Sequence, residues 1–193
     1  MAGQDKWTTF LGKAKDGLLS KHELDQVIAT IKEPETQGRS YTLLHIIGRA
    51  MDVSNEGLVA SYLDCPEDPM LSRLGLQILC NYWGLTPKYL SYVCRFLSSV
   101  DWDVDGDVRQ IAASIAGEHL RTTSDDDLFR SLLDISKNES DLPEMRITAI
   151  HALARAMGYS WNDVPTINSR LSPGDEWYRH TLEQAFERFL RRP

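Results

Sequence analysis

Two stretches decide the fold: residues 105–117, "DGDVRQIAASIAG", and residues 142–154, "LPEMRITAIHALA". In each stretch apolar residues recur every three or four positions, which is the period of one face of an α-helix. Each also has an arginine near its start, Arg109 or Arg146, and an alanine three residues after that arginine. The sequence therefore predicts two copies of one helical element.

Weaker copies of this element lie around Arg39, Arg73 and Arg179, so successive arginines are 34, 36, 37 and 33 residues apart. Another segment of helical periodicity precedes each copy. A period near 35 residues with two helices per period is typical of α-solenoids. The predicted pairs are 21–32 with 40–51, 55–63 with 69–83, 86–99 with 107–120, 125–137 with 143–157, and 162–171 with 176–191, after a helix over 5–18.

The segments "DVRQIAASIA" (107–116) and "MRITAIHALA" (145–154) resemble the second helix of a HEAT repeat. The resemblance implies an all-α fold, a right-handed α-solenoid of about five helix pairs. It also implies one domain over 1–193, with a capping helix in 1–19 and repeats in 20–192, and a habit of binding proteins. The first and fifth copies fit less well, because no apolar residue precedes Arg39 and Pro165 interrupts the fifth pair.

The recurrent arginine has an architectural interpretation. A long planar donor can bind the acid of its own turn or of the next repeat and so build a ladder. This predicts a structural role for Asp107 and for Arg73, Arg109, Arg146 and Arg179. Small residues such as Ala112 and Ala149 would let helices approach closely, and larger ones such as Phe186 would fill the core.

The charge distribution favours a basic protein partner. The formal net charge is −7, and residues 64–144 alone contain 15 acidic and 7 basic side chains. A phosphate backbone is held by Lys and Arg, so this acidic centre argues against nucleic-acid binding. An acidic surface attracts a cationic protein instead.

The acids concentrate in the predicted turns between paired helices, which hold 14 of the 28. The turn "DWDVDGD" (101–107) resembles the start of a calcium-binding loop, but Ala112 stands where that loop needs its last carboxylate and Arg109 where it needs another ligand. Helix capping explains some of these acids; a binding edge is the alternative. The candidate edge comprises Asp64, Glu67, Asp68, Asp101, Trp102, Asp103, Asp105, Glu139 and Asp141, with Glu33, Glu35, Glu144, Asp175 and Glu176 in the same turns.

A second candidate surface is the concave face of the predicted solenoid. Outward positions of the second helices would line it, and polar side chains there could contact a partner. The residues at these positions are Gln77, Asn81, Gln110, Ser114, His151 and Arg155.

Catalytic signals are weak. The five histidines form no HxxxH or HExxH pair, the three cysteines lie in apolar surroundings, and no phosphate-binding glycine motif occurs. We therefore expect a non-enzymatic protein without cofactor or metal. No stretch reaches membrane-span length and the N-terminus has no secretory pattern, which favours a cytoplasmic monomer without membrane contact.

The expected function is binding of a protein with a basic surface. One form is an immunity-type inhibitor that neutralises a cationic toxin such as a nuclease. An assembly chaperone or adaptor fits the same features. From another class, a HEAT-like DNA glycosylase or lyase remains the enzymatic alternative, and it would need a basic cleft around a buried carboxylate.

Overall fold

The computed structural model describes residues 5–33, 38–166 and 172–190, with side chains described to residue 188. These residues form α-helices and short 3₁₀ and π segments, without a strand. The all-α prediction is confirmed. The helices are α1 (Lys6–Lys15), α2 (Lys21–Ile31), α3 (Ser40–Arg49), α4 (Glu56–Ala60), α5 (Pro69–Gln77), α6 (Thr86–Leu97), α7 (Asp107–His119), α8 (Asp126–Lys137), α9 (Pro143–Ala156) and α10 (Glu176–Leu190).

The predicted helices are present with ends shifted by a few residues, with one exception. Residues 162–166, the start of the predicted first helix of the fifth pair, form a turn, a bend and irregular chain; residues 167–171 lie outside the described part. Pro165 gives the reason, because proline removes a helix donor and restricts the residue before it. The predicted helix 69–83 also changes character, since α5 passes into a π-helix over Ile78–Tyr82.

Local capping chemistry sets the helix starts. Ser20 and Glu23 form a reciprocal capping box at α2, and Asp68 accepts the N–H of Met70 ahead of Pro69 at α5. At α8 the N-cap is Asp125, which accepts the N–H of Leu128 at 2.9 Å.

The chain divides into two compact units, residues 1–89 and 90–193. In unit 1, α3 packs against α1, α2 and α5. Its apolar residues Leu43, Leu44, Ile46 and Ile47 are fully buried. The indole Nε1 of Trp83 donates to the carbonyl of Gly48 at 3.1 Å and closes this core.

In unit 2, α9 is the central helix and packs against α7, α8 and α10. A Cβ built on Gly117 of α7 would lie 2.6 Å from the Ala152 backbone of α9, so these helices touch at backbone distance. Phe186 does not fill the core as predicted. It is 43% exposed on α10, with Lys137 Nζ 4.1 Å from its ring centre. The core-facing side of this helix is formed instead by Tyr178, Thr181 and Ala185, which are buried.

No helix in the described segments combines the length and apolar character that crossing a membrane requires.

Candidate functional site

The turn between α6 and α7 is built around a buried carboxylate. Asp103 is 8% exposed and accepts the backbone N–H groups of Val108 at 3.2 Å and Arg109 at 2.9 Å. These donors belong to the first turn of α7, where N–H groups have no partner within the helix. Gly106, just before α7, has φ 72°, which glycine adopts without steric cost. Asp103 was predicted to contact a partner; its two carboxylate oxygens instead cap the start of α7.

Two large side chains of the same turn point in different directions. Trp102 is half-buried and meets the buried Phe96 edge-to-face, with 5.9 Å between ring centres. Val104 is 84% exposed, the largest exposed fraction among the large hydrophobic residues described. Trp102 was predicted to contact a partner, whereas the sequence pattern gives no such signal for Val104. The alternation of Trp102, Asp103 and Val104 does not reveal which of them faces solvent.

Arg109 links this turn to the next one along unit 2. Its guanidinium binds both carboxylate oxygens of Asp141, in the turn between α8 and α9, and its Nε donates to the carbonyl of Leu97 at 2.9 Å. Asp141 also accepts the side-chain amide of Asn138 at 2.9 Å. Asp141 was predicted to contact a partner; its oxygens are instead engaged by Arg109 and Asn138, and its side chain is only 13% exposed.

The two turns enclose a cleft of about 170 Å³, called the turn cleft below. Asp103, Arg109 and Asp141 line it, and Val104 and Leu142 line it from opposite turns. Leu142 is 54% exposed. Asp101, Asp105 and Glu139 are exposed acids of the same two turns. The structure thus brings acidic and apolar side chains together at one edge of unit 2.

The ladder arginines divide into two groups. Arg146 Nε donates to the carbonyl of Ser136 at 3.3 Å, as Arg109 does to Leu97, so each arginine caps the end of the preceding helix. The side chain of Arg73 is half-buried and forms no hydrogen bond or ion pair with any described residue. Arg179 is exposed on α10. The structural role predicted for Arg179 stays a prediction, because residues 167–171 lie outside the described part of the chain.

His151 and Arg155, predicted on an outward face, are both 5% exposed. Nε2 of His151 lies 3.2 Å from the hydroxyl of Tyr178, and the two rings stack with centres 5.6 Å apart. Burial lowers the pKa of His151 to about 4. The prediction is wrong for His151 because α10 covers this face of α9.

Arg155 is held inside unit 2 by an ion pair. Its Nε donates to Glu118 Oε1 at 2.6 Å, and another guanidinium nitrogen donates to the carbonyl of Tyr159. Burial alone would raise the pKa of Glu118, but hydrogen bonds from Arg155 and Arg121 keep it below the ordinary value. Arg155 is therefore a structural residue, contrary to the prediction.

The other predicted contacts lie at or near the surface. Asp64, Glu67 and Asn81 are exposed in unit 1, where Asp68 is occupied as the α5 cap. Gln77 in unit 1, and Gln110 and Ser114 in unit 2, are half-buried. Asp107 begins α7. Glu35 lies outside the described residues.

The described residues contain no group of three or more His, Cys, Asp or Glu placed to hold a metal ion. Burial raises the pKa of all three cysteine thiols, that of Cys80 to about 11, which disfavours a reactive thiolate. In this part of the chain every buried side-chain nitrogen or oxygen has a hydrogen-bond partner.

Comparison with known proteins adds no further assignment: no protein-family description, curated protein or solved structure matches this chain.

Proposed function

We propose that this chain is a HEAT-like helical-repeat protein that binds another protein without catalysing a reaction. The turn cleft is the contact site, and the partner has a basic surface. The observation that carries the proposal is Val104, 84% exposed in a turn whose backbone a buried carboxylate holds in place. An exposed apolar side chain on a fixed backbone adds binding energy with little loss of conformational freedom.

The arrangement around Val104 supports an interface. Leu142, 54% exposed, lines the opposite side of the turn cleft, so a partner side chain entering there meets apolar surface from both turns. Asp101, Asp105 and Glu139 are exposed in the same turns. An apolar centre with a charged rim is the usual composition of a protein interface.

Charge complementarity argues for a basic partner. Residues 90–193 contain 17 acidic and 12 basic side chains. The guanidinium of Arg109 is already neutralised by Asp141 within the turn cleft, which leaves the exposed acids to set the sign of the surface. Such a field accelerates association with a cationic protein and makes it sensitive to salt.

The repeat interpretation rests on two equivalent arginines. Arg109 on α7 and Arg146 on α9 each use Nε to cap the carbonyl end of the helix before them, α6 or α8. This recurrence supports α6–α7 and α8–α9 as successive HEAT-like repeats. We extend the solenoid of helix pairs to the rest of the chain as part of the proposal.

An immunity-type inhibitor of a basic toxin is the form of this function that we put first, and a chaperone or adaptor would use the same surface. The glycosylase or lyase alternative receives less support. Its buried carboxylate would need a basic cleft, whereas Asp103 is occupied by two N–H groups and shares its cleft with Asp105 and Asp141.

The test begins with capture of partners from native lysate by the full chain and ends with purified partner. We expect D101K/D105K to raise the dissociation constant by about tenfold, as two lost ion pairs predict, and to flatten its dependence on salt. Val104→Ser should weaken binding by several-fold at every salt concentration, because it removes apolar contact area.

The control variants carry the same types of substitution at exposed positions outside the turn cleft. D25K/D134K makes the same change in net charge on the exposed surfaces of α2 and α8, and Val53→Ser alters another exposed valine. Both should bind as the parent does. Equal loss of affinity in D101K/D105K and D25K/D134K would reduce the effect to net charge and overturn the turn cleft as the site.

A further inference from the structure

Unit 1 has a surface of opposite character on α3. Tyr41, His45 and Arg49 follow one another at intervals of four residues and so lie along one face of the helix. Tyr41 and Arg49 are exposed and His45 is half-buried. Tyr41 and His45 meet edge-to-face with ring centres 6.3 Å apart, and Arg49 Nε donates to His45 Nε2 at 3.4 Å.

The π-helix brings a fourth member to this face. The backbone N–H of Trp83 bonds the carbonyl of Ile78, five residues earlier, and the Trp83 indole anchors the segment to Gly48 of α3. Tyr82 then stacks with His45 at 6.4 Å between ring centres, and the Arg49 guanidinium carbon lies 4.2 Å from the Tyr82 ring centre. Single π-turns occur frequently at functional sites.

This part of unit 1 carries basic side chains that are not paired with any described acid, although the chain has a net charge of −7. Neither Arg49 nor the exposed Lys15 forms an ion pair with any described carboxylate. Burial, and after it the charges of Arg49 and Lys15, lowers the pKa of His45 below its ordinary value. The guanidinium of Arg49 therefore has open donor positions beside an aromatic surface.

We propose that Tyr41, His45, Arg49 and Tyr82 form a second docking surface, and that its partner is an acidic protein segment. In the complex a carboxylate binds the Arg49 guanidinium and a neighbouring apolar side chain packs on the tyrosine rings. Tyrosine and arginine are the residue types most often found at the centres of interfaces. Arginine also offers carboxylates a two-point contact.

A peptide fits this surface better than a nucleic acid does. Single-stranded nucleic acids also stack on aromatic rings, but their affinity depends on a groove of several cations along the backbone. Here the Arg49 guanidinium lies against the Tyr82 ring, and the charge of Lys15 contributes to lowering the pKa of His45. Two charges suit one or two carboxylates.

The test uses the full ¹⁵N-labelled chain and three probes: a peptide of alternating glutamate and phenylalanine, its glutamine counterpart, and an oligothymidylate. We expect the acidic peptide to shift backbone signals of Tyr41, His45, Arg49 and Tyr82 in two-dimensional NMR spectra. Arg49→Gln should raise the peptide's dissociation constant about fivefold, as one exposed ion pair predicts. Tyr82→Leu should weaken binding while keeping the charge.

Arg188→Gln, which neutralises an exposed arginine of unit 2, should leave the titration unchanged. Equal shifts with the glutamine peptide, or an Arg49→Gln titration that overlaps the parent's, would overturn the proposal. A localised response to oligothymidylate, sensitive to Arg49→Gln and without a response to the acidic peptide, would assign the surface to nucleic acid instead.

Discussion

Arg109 and Asp141, 32 residues apart, form a two-point ion pair that joins two consecutive interhelical turns of unit 2. Their side chains are 18% and 13% exposed. Arg109 also caps the carbonyl of Leu97, so one side chain holds the end of α6, the start of α7 and the turn before α9. The turn cleft depends on this link for its shape.

Arg109→Ala is expected to lower the free energy of unfolding by about 2–3 kcal/mol. The substitution leaves Asp141 partly buried without its cation and removes the donor to Leu97. Urea denaturation followed by circular dichroism measures the change. Arg188→Ala is the control, because Arg188 is exposed on α10 and forms no ion pair with any described residue, and it should change stability by under about 0.5 kcal/mol. Similar losses in both variants would contradict the role of Arg109.

Substitution of Asp103 by alanine is expected to destabilise the chain much more than substitution of Asp101, although both aspartates lie in one turn. Asp103→Ala removes the acceptor for two N–H groups of α7 and should cost about 1–2 kcal/mol. Asp101→Ala alters an exposed carboxylate and should leave the thermal midpoint nearly unchanged. Thermal unfolding of the two variants measures the difference. A midpoint for Asp103→Ala equal to that of Asp101→Ala would refute the cap.

Helix positions could be predicted because their determinants are local. Apolar periodicity, the Ser20 capping box and the Asp68–Pro69 start all lie within a few residues of the helices they specify. The repeated arginine marked α7 and α9 correctly. The spacing of the arginines also predicted a fifth helix pair. Residues 162–166, where its first helix should begin, are not helical, because Pro165 disfavours a helix there.

The site was harder to predict because burial depends on contacts between distant residues. His151 occupies a position that periodicity leaves outward, but Tyr178, 27 residues later, covers it. Arg155 likewise turns inward to Glu118, 37 residues earlier. The exposure of Val104 could not be predicted because a single valine among aspartates carries no pattern. It follows from Asp103 turning toward α7.

Stability is expected to fall as the pH is lowered from 6.5 toward 4. The pKa of His151 is about 4 in the folded chain and has its ordinary value of 6.5 when solvated. Between these values the unfolded state binds the proton more strongly, so acid favours unfolding. The contribution of neutral His151 to stability is complete above pH 6.5, and about 2–3 kcal/mol of this contribution is lost by pH 4.5. Urea midpoints at pH 7.5 and 4.5 measure the loss.

His151→Phe separates this effect from the carboxylates that also titrate in acid. Phenylalanine keeps an aromatic ring against Tyr178 but does not titrate. The variant should lose clearly less stability than the parent between the two pH values. An identical loss in both proteins would show that His151 is not the group responsible.

Substitution by alanine is expected to have opposite effects on stability at two glycines that lie in helices. Alanine ordinarily stabilises a helix by up to about 1 kcal/mol relative to glycine. Gly12 on α1 has nothing within 4 Å of an added Cβ, so Gly12→Ala should raise the free energy of unfolding by that amount.

At Gly117 the added carbon would lie 2.6 Å from the backbone of Ala152, which has no flexible side-chain atom to yield. Gly117→Ala must push α7 and α9 apart and should cost about 1–3 kcal/mol. Urea denaturation measures both changes, and a stabilised Gly117→Ala variant would show that these helices are not in contact as described.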